Sequence, residues 1–121
     1  ALAQGGIPAL TREPAMYAQL LEHRRTTGGA WAPARLRLTG VAGSPLTPRL
    51  KADVEQLLGL PLHNGYGLTE TAPTVCQTPL DRPRTDCAVG QPIPGVQIRV
   101  VDPHGHAMTV KYKGKVEPYL R

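Results

Sequence analysis

Residues 63–73 read HNGYGLTETAP, and two glycines in this segment flank a single tyrosine, Tyr66. Glycine permits backbone conformations that are closed to other residues, so Gly65 and Gly67 predict a tight bend. Such a bend would present the face of the Tyr66 ring, on which a purine base can stack. The first interpretation of the segment is therefore a place where a base binds.

Two polar side chains follow the tyrosine closely. Thr69 offers a hydroxyl that can donate to a phosphate oxygen, and Glu70 offers the hard oxygen ligand that Mg²⁺ takes together with substrate phosphates. An aromatic ring, a hydroxyl and a carboxylate within five residues suit a nucleotide with a metal-bound phosphate. The competing interpretation is an ordinary β-turn with a half-buried Tyr66 and a solvated Glu70, because short glycine loops are common and weakly specific.

Two helices are predicted from the signals at their ends. The first starts at Pro14, because proline is favoured in the first helical turn, and it runs to about Arg25. The second starts after the N-cap residue Thr47 and runs to about Leu58, before Gly59. Apolar residues recur at helical spacing in both segments: Tyr17, Leu20 and Leu21 in the first, and Leu50, Val54, Leu57 and Leu58 in the second.

Three segments are predicted to form strands. Residues 35–41 (RLRLTGV) alternate between apolar and polar side chains, and a short strand over residues 60–63 leads into the glycine segment. Residues 96–102 (VQIRVVD) form the third strand, after a rigid turn over residues 90–95. A strand–helix–strand unit with a following β-ribbon indicates an α/β fold.

The two predicted loops 43–45 and 65–67 each follow a predicted strand. In open α/β sheets, ligands bind outside the carboxyl ends of the strands. We therefore expect both loops to reach the same edge of the sheet and to form one ligand site there.

The composition allows one modest domain with a small core. The chain has 121 residues, no phenylalanine and an aromatic content of 4%, so bulky core anchors are scarce. This favours either a loop-rich α/β domain or a piece of a larger protein that lacks part of its core.

Several classes of protein are not expected. The net charge of +5 is spread along the chain without a basic run, which argues against nucleic-acid binding. The two cysteines lack C-x-x-C spacing, so a zinc site is not expected, and we interpret them as free thiols of a cytoplasmic protein. No apolar run approaches the ~20 residues of a transmembrane segment, and the N-terminal residues lack the features of a signal peptide.

Five motifs in the same order resemble the adenylate-forming superfamily, which includes acyl-CoA synthetases, luciferases and peptide-synthetase adenylation domains. Residues 64–71 (NGYGLTET) resemble its Y-G-x-T-E core motif, and residues 42–46 (AGSPL) resemble its G-G-A-P-L loop. Residues 89–96 (VGQPIPGV) and 13–21 (EPAMYAQLL) resemble two further motifs, and residues 100–105 resemble the strand and turn that follow.

This resemblance implies a fragment of the large N-terminal domain of an adenylate-forming enzyme. It covers roughly residues 10–105. We therefore assign residues 1–105 to a partial AMP-binding domain and residues 106–121 to a tail that does not match the family.

The resemblance also implies an activity. Enzymes of this superfamily activate a carboxylic acid with ATP, giving an acyl-adenylate and pyrophosphate, and a thiol, often that of coenzyme A, then takes the acyl group. By resemblance, Tyr66 packs against adenine, Thr69 contacts the α-phosphate, and Glu70 binds Mg²⁺, which offsets the charge that develops during displacement. We thus expect a small-molecule carboxylic acid and ATP or AMP as ligands, with Mg²⁺ and coenzyme A as cofactors, and Thr69 and Glu70 in catalytic roles.

Further site residues follow from the resemblance alone. It places one loop at the border of the adenine and acyl pockets, and it places the start of the core motif near the base or the reacting carboxylate. The loop residues are Gly43, Ser44 and Pro45, and those of the core motif are Asn64 and Gly65, with Gly67 completing the nucleotide-binding segment.

The chain also departs from the family pattern. The Ser/Thr/Gly-rich phosphate loop, the aspartate that holds the ribose and the lysine of the small C-terminal domain are not found in it. We therefore expect an internal fragment, missing the rest of the enzyme chain, that does not catalyse adenylation alone. Two alternatives stay open: a fragment of an amino-acid adenylation domain with a carrier-protein thiol as acceptor, and a non-catalytic interaction module of the same fold.

The histidines carry no predicted site. His104 and His106 lie in a turn without a third ligand nearby, so solvated side chains are favoured over a metal site. His63 directly precedes the core motif, where a packed histidine at a strand end is favoured over a substrate contact.

Overall fold

The computed structural model describes residues 8–28, 35–108, 110–112 and 115–117 of the chain. The remaining residues, including part of the predicted tail 106–121, lie outside the described residues. The elements in chain order are β1 (Ala9–Arg12), α1 (Pro14–Thr27), β2 (Leu38–Val41), α2 (Pro48–Leu58), β3 (Leu62–Gly67), a 3-10 turn (Thr69–Thr71), β4 (Thr74–Gln77), β5 (Gln91–Pro92), β6 (Val110–Tyr112) and β7 (Lys115–Glu117).

The first five strands form one mixed sheet in the order of the chain. The pairs β1–β2 and β2–β3 are parallel, whereas β3–β4 and β4–β5 are antiparallel. Because parallel crossovers are right-handed, two successive crossovers in the same direction place α1 and α2 on one face of the sheet. The predicted α/β fold is confirmed, and β6 and β7 form a separate antiparallel pair.

Both helices form where their end signals predict them. Pro14 occupies the first turn of α1, which continues two residues beyond the predicted end and stops at Gly28 with a left-handed backbone (φ 66°). The Thr47 hydroxyl caps α2 by accepting a hydrogen bond from the Leu50 amide at 3.2 Å, and Gly59 (φ 67°) ends it. Local capping chemistry therefore sets the helix limits.

The hydrophobic core lies between the helices and the parallel strands. Tyr17 is its largest buried side chain, and its hydroxyl lies 3.0 Å from the Leu10 carbonyl oxygen in β1 and 2.8 Å from that of Gly40 in β2. Burial raises the pKa of Tyr17 to about 12, so it stays a neutral hydrogen-bond donor. The buried apolar members of the core are Leu10, Tyr17, Leu36, Val41, Leu46, Val54 and Leu62.

The strand predictions were less accurate than the helix predictions. β2 begins at Leu38 instead of residue 35, and β3 begins at Leu62 and continues through the glycine segment to Gly67. The tight bend predicted at residues 65–67 is therefore wrong. Strands β1, β4 and β5 were not predicted, because their short sequences gain their order from neighbouring strands.

The strand predicted over residues 96–102 is also wrong. In the described part of the chain, this segment makes only an isolated bridge between Val101 and Ala107. Val100 and Val101 keep 39% and 42% of their surface exposed. The alternating pattern is present, but no described strand runs alongside it to complete a ladder.

A buried ion pair connects α2 to the start of β3. Lys51 is only 4% exposed, and its Nζ lies 2.6 Å from Glu55 Oε1 and 2.9 Å from the Leu62 carbonyl oxygen. The same Glu55 oxygen accepts a hydrogen bond from the Leu62 amide at 2.8 Å. The backbone amide and carbonyl of Leu62 are therefore both hydrogen-bonded to this one ion pair, in addition to the pairing of β3 with β2.

We predict that Lys51→Met lowers the free energy of unfolding by about 2–4 kcal/mol. The change leaves the Glu55 carboxylate and the Leu62 carbonyl without a cation. We set the value about 1 kcal/mol below the roughly 3–5 kcal/mol expected for breaking a fully buried pair, because 32% of the Glu55 side chain is exposed. Urea denaturation measures the difference.

Arg49→Met is the matched control for that substitution. Arg49 pairs with Asp53 at the same spacing on the same helix, but the pair is 3.8 Å apart and largely exposed. We expect the control to change the free energy by less than about 0.5 kcal/mol. Equal effects of the two substitutions would contradict a special role for the buried pair.

Candidate functional site

A cleft of about 500 Å³ opens at the carboxyl ends of β1 and β2, beside the second half of β3. We call it the strand-end cleft. Both glycine-containing segments that the sequence places at this edge contribute to its wall. Its lining comes from residues 11–13 and 16 at the end of β1 and the start of α1, residues 40–43 at the end of β2, residues 65–69, and residues 73, 74 and 77.

The glycine segment is extended and belongs to the sheet. After Asn64, β3 leaves its pairing with β2 and pairs with β4, where Tyr66 lies opposite Cys76. The ladder shifts register between Tyr66 and Gly67, and 46% of the Tyr66 surface is exposed. The tyrosine thus presents its ring from a strand and not from a bend.

Gly67 is required for a close approach of two backbones. A Cβ atom at this position would lie 1.8 Å from the Pro73 carbonyl oxygen, because the chain returns over Gly67 to start β4. Real side chains cannot be placed that close to a carbonyl oxygen. The second glycine of the core motif therefore lets β3 and β4 join next to the tyrosine.

Thr69 and Glu70 lie on the 3-10 turn that connects β3 to β4. Thr69 contributes to the wall of the strand-end cleft, whereas Glu70 is exposed on the same turn outside the lining. The structure thus brings Thr69 together with Gly43, Gly65 and Tyr66, and it leaves the Glu70 carboxylate free to face solvent at the edge of the cleft.

Three other predicted residues lie outside the lining. Ser44 and Pro45 are exposed on the loop after β2. Asn64 is buried, and its Nδ2 donates to the Cys87 carbonyl at 2.7 Å. The backbone carbonyl oxygen of Asn64 accepts hydrogen bonds from the backbone amide and the hydroxyl of Thr78. Asn64 therefore holds the segment after β4 against β3.

One wall of the cleft was missed by sequence reasoning. It comes from the junction of β1 and α1 and carries Arg12, Glu13 and Met16. The Arg12 guanidinium donates to the Thr11 carbonyl at 2.8 Å, and a Cβ at Gly43 would lie 3.0 Å from Glu13 Cγ. A strand recognised before α1 would have placed these residues at the same carboxyl edge.

The residues that the structure describes contain no group of three or more His, Cys, Asp and Glu side chains that could hold a metal ion. His104 and His106 are exposed. His106 Nδ1 lies 3.2 Å from Asp102 Oδ2, and hydrogen bonds from the backbone and ring of His106 lower the pKa of Asp102.

His63 is packed, as predicted. It is 5% exposed, and its Nδ1 has no hydrogen-bond partner among the described residues. Burial, and then the charge of Lys51, lower the pKa of His63. A neutral ring is therefore favoured in the folded chain.

A second and larger groove, of about 1120 Å³, lies between α1 and α2. It shares no lining residue with the strand-end cleft, and its rim carries Arg24, Arg25 and Arg49.

In the part of the chain that the structure describes, no helix is long and apolar enough to cross a membrane.

The fold agrees with a sequence comparison. The sequence profile of the AMP-binding enzyme family matches residues 2–116, and the chain belongs to this family of adenylate-forming enzymes. The predicted resemblance is thereby confirmed. The matched range continues past residue 105, and the boundary predicted there stays a prediction.

Acyl-CoA synthetases are among the relatives. The chain is 27% identical over 115 residues to a human mitochondrial acyl-coenzyme A synthetase. This alignment covers 95% of this chain and 23% of that protein. It resembles ATP-bound MatB from Rhodopseudomonas palustris with a TM-score of 0.70 and 29% identity, over 88% of this chain and 20% of that chain.

An anthranilate CoA ligase in complex with anthranoyl-AMP has a TM-score of 0.77 and 20% identity, over 88% of this chain and 20% of that chain. At this identity the likeness shows the fold alone. The chain spans about a fifth of the length of these proteins.

We predict that Gly67→Ala lowers the free energy of unfolding by about 3 kcal/mol or more, because the added methyl group cannot avoid the Pro73 carbonyl. Gly65→Ala is the control, since its Cβ would lie 3.3 Å from the Cys76 carbonyl oxygen and needs only a small shift. Urea denaturation compares the two. A similar loss for both variants would show that the close approach is not the cause.

We predict that stability falls as the pH drops below about 6.5. The folded chain lowers the pKa of His63 from its ordinary 6.5, so the unfolded chain binds the proton more readily, and stability rises with pH. The contribution of His63 to stability is complete above pH 6.5, and it is lost as the pH falls through the lower pKa that His63 has in the folded chain.

His63→Leu should flatten this dependence in urea titrations between pH 5 and pH 7.5, whereas His104→Gln, which changes an exposed histidine, should preserve it. If the free energy of unfolding of His63→Leu kept the same dependence on pH, the assignment of this dependence to His63 would be refuted.

Proposed function

We propose that the chain forms part of the nucleotide and acyl site of a ligase that converts a carboxylic acid and ATP into an acyl-adenylate and passes the acyl group to coenzyme A. The observation that carries this proposal is the strand-end cleft, where Tyr66 and Thr69 share one wall in a member of the AMP-binding family. The relationship to a human acyl-coenzyme A synthetase supports the acyl-CoA reaction class.

The exposed ring of Tyr66 suits the stacking of adenine. Its surface is 46% exposed, and it lies on a paired strand, so its position is fixed before a ligand arrives. Stacking on such a ring contributes about 1–3 kcal/mol per base in nucleic-acid complexes. Gly43 and Gly65 add wall without side chains, which lets a ligand approach the backbone closely.

Thr69 and Glu70 suit the phosphate end of the nucleotide. Thr69 contributes to the cleft wall, and we assign its hydroxyl the role of donor to an α-phosphate oxygen. The two residues are neighbours on one short turn, with Thr69 in the cleft wall and Glu70 exposed outside the lining, so a Mg²⁺ ion between the phosphate and the Glu70 carboxylate would join them. This arrangement holds and orients the phosphate while the acid attacks it.

The donor set fits Mg²⁺ that is bound largely through the nucleotide. Glu70 supplies one hard oxygen ligand, and Mg²⁺ typically takes one or two carboxylates together with substrate phosphates and water. Mg²⁺ bound there would offset the charge that develops at the α-phosphate. Among the described residues, Glu70 belongs to no group of three or more His, Cys, Asp and Glu side chains that could hold the ion without a nucleotide.

The remaining predicted residues take different parts in the proposal. Ser44 and Pro45, on the exposed loop after β2, border the acyl pocket. Asn64 acts from behind the cleft, because a direct contact with the base would require its amide to leave the Cys87 carbonyl.

We further propose that the 121-residue chain binds an adenylate without turning over. Its sequence contains neither the family's phosphate loop nor the ribose-binding aspartate, and it spans about a fifth of its relatives. Sustained pyrophosphate release that depends on a carboxylic acid would contradict this part.

The cytoplasmic location also stays a prediction.

We predict saturable binding of a non-hydrolysable acyl-adenylate mimic with Mg²⁺, measured by calorimetry. Tyr66→Ala should weaken it by about 5- to 150-fold, the equivalent of one lost stacking contact. Glu70→Gln should remove the Mg²⁺ dependence, because the metal loses its carboxylate. Leu80→Ala is the control, since Leu80 is similarly exposed, at 57%, and lies outside the cleft.

The absence of heat from a chain that circular dichroism shows to be folded would contradict the proposal. In that case the interaction-module alternative would gain support. Equal weakening by Leu80→Ala and Tyr66→Ala would likewise contradict stacking on the tyrosine.

A further inference from the structure

The turn that carries Thr69 and Glu70 is closed by the side chain of Thr71. The Thr71 Oγ1 lies 2.8 Å from the Leu68 carbonyl oxygen and 2.9 Å from the Pro73 carbonyl oxygen. It also accepts a hydrogen bond from the Leu68 amide at 3.1 Å. One hydroxyl group therefore contacts the backbone on both sides of Thr69 and Glu70.

The chemistry of a hydroxyl limits what these contacts do at one moment. A single proton can be donated to the Leu68 carbonyl or to the Pro73 carbonyl, while the oxygen lone pairs accept from the Leu68 amide. Either donation joins the hydroxyl to one end of the turn. The single proton of the Leu68 amide is shared between the Thr71 hydroxyl oxygen and the Pro73 carbonyl oxygen, which lies 2.9 Å from the amide nitrogen, and this bifurcated bond completes the closure.

The turn contains a strained residue that needs such support. Ala72 has φ 60° and ψ 58°, and it is the one non-glycine residue with positive φ in the described part of the chain. A residue with a Cβ atom adopts this conformation only when its surroundings enforce it. The bonds of Thr71 on the preceding side, and the fixed position of Pro73 above Gly67 on the following side, provide that enforcement.

We propose that Thr71 is a positioning residue of the adenylation site. It orders the turn so that Thr69, in the wall of the strand-end cleft, and Glu70, exposed beside it, keep fixed positions. This inference rests on the proposed function for its ligand. Thr71 itself has no lining atom in the cleft, so its effect on binding passes through its two neighbours.

Valine and serine at position 71 separate this role from a general loss of stability. Thr71→Val keeps the size and branching of the side chain and removes the hydroxyl, whereas Thr71→Ser keeps the hydroxyl. We expect Thr71→Val to weaken the Mg²⁺-dependent binding of the acyl-adenylate mimic by about three- to tenfold, the equivalent of one lost hydrogen bond. Thr71→Ser should restore affinity close to that of the unsubstituted chain.

Thr26→Val is the matched control. The Thr26 hydroxyl donates to the His23 carbonyl, also three residues earlier, at 2.9 Å and in an exposed position far along α1. It should leave the affinity unchanged. Unchanged affinity in Thr71→Val, or equal losses in Thr71→Val and Thr26→Val, would overturn the proposal.

A second measurement needs no ligand. Amide hydrogen exchange of the unsubstituted chain should show protection of the Leu68 amide, and Thr71→Val should reduce this protection and shift the backbone resonances of Thr69 and Glu70. A Leu68 amide that exchanges as fast as in an unstructured peptide would overturn the proposal, even if Thr71→Val did not fold. An unsubstituted chain that binds no mimic would contradict the proposed function, while the exchange result would still decide whether Thr71 orders the turn.

Discussion

Strand β3 must satisfy two different partners, and the site depends on the point where it changes between them. Over its first half it pairs in parallel with β2, and over its second half it pairs antiparallel with β4. The Lys51–Glu55 pair holds both backbone groups of Leu62 where β3 begins. A strand anchored in this way can continue beyond the end of β2, and its extension forms a wall that a loop would leave mobile.

The extension explains the composition of the glycine segment. Gly67 is needed because the Pro73 carbonyl passes directly over it, so the demand is for space and not for an unusual backbone angle. The return of the chain then places Thr69 beside the cleft within three residues of Tyr66. The proposed nucleotide contacts of Tyr66, Thr69 and Glu70 thus all come from one strand and the turn that follows it.

Local signals in the sequence predicted the helices well and the strands poorly. Pro14, Thr47 and Gly59 act within one turn of helix, so they can be read without knowledge of the fold. Strands β1, β4 and β5 are two to four residues long and exist through their neighbours, which local patterns do not reveal. The alternating segment 96–102 shows the converse case, since its pattern lacks a partner in the described chain.

The candidate site shows the same division. Gly43, Tyr66 and Thr69 were found through their motifs, and the structure places them around one cleft. Arg12 and Glu13 were missed because they reach the cleft only through the packing of β1 beside β2. The contact of Asn64 with Cys87 spans 23 residues of sequence and could not be anticipated.

The hydroxyl of Tyr17 makes the packing of α1 and the pairing of β1 with β2 depend on each other. It bridges carbonyl oxygens of β1 and β2, which are neighbours in the sheet but lie on opposite sides of α1 in the sequence. The full set of contacts of the helix therefore requires both strands, and the strands have this contact only with the helix in place. Helix docking and parallel pairing are therefore coupled steps, and partial loss of either one exposes the buried face of the other.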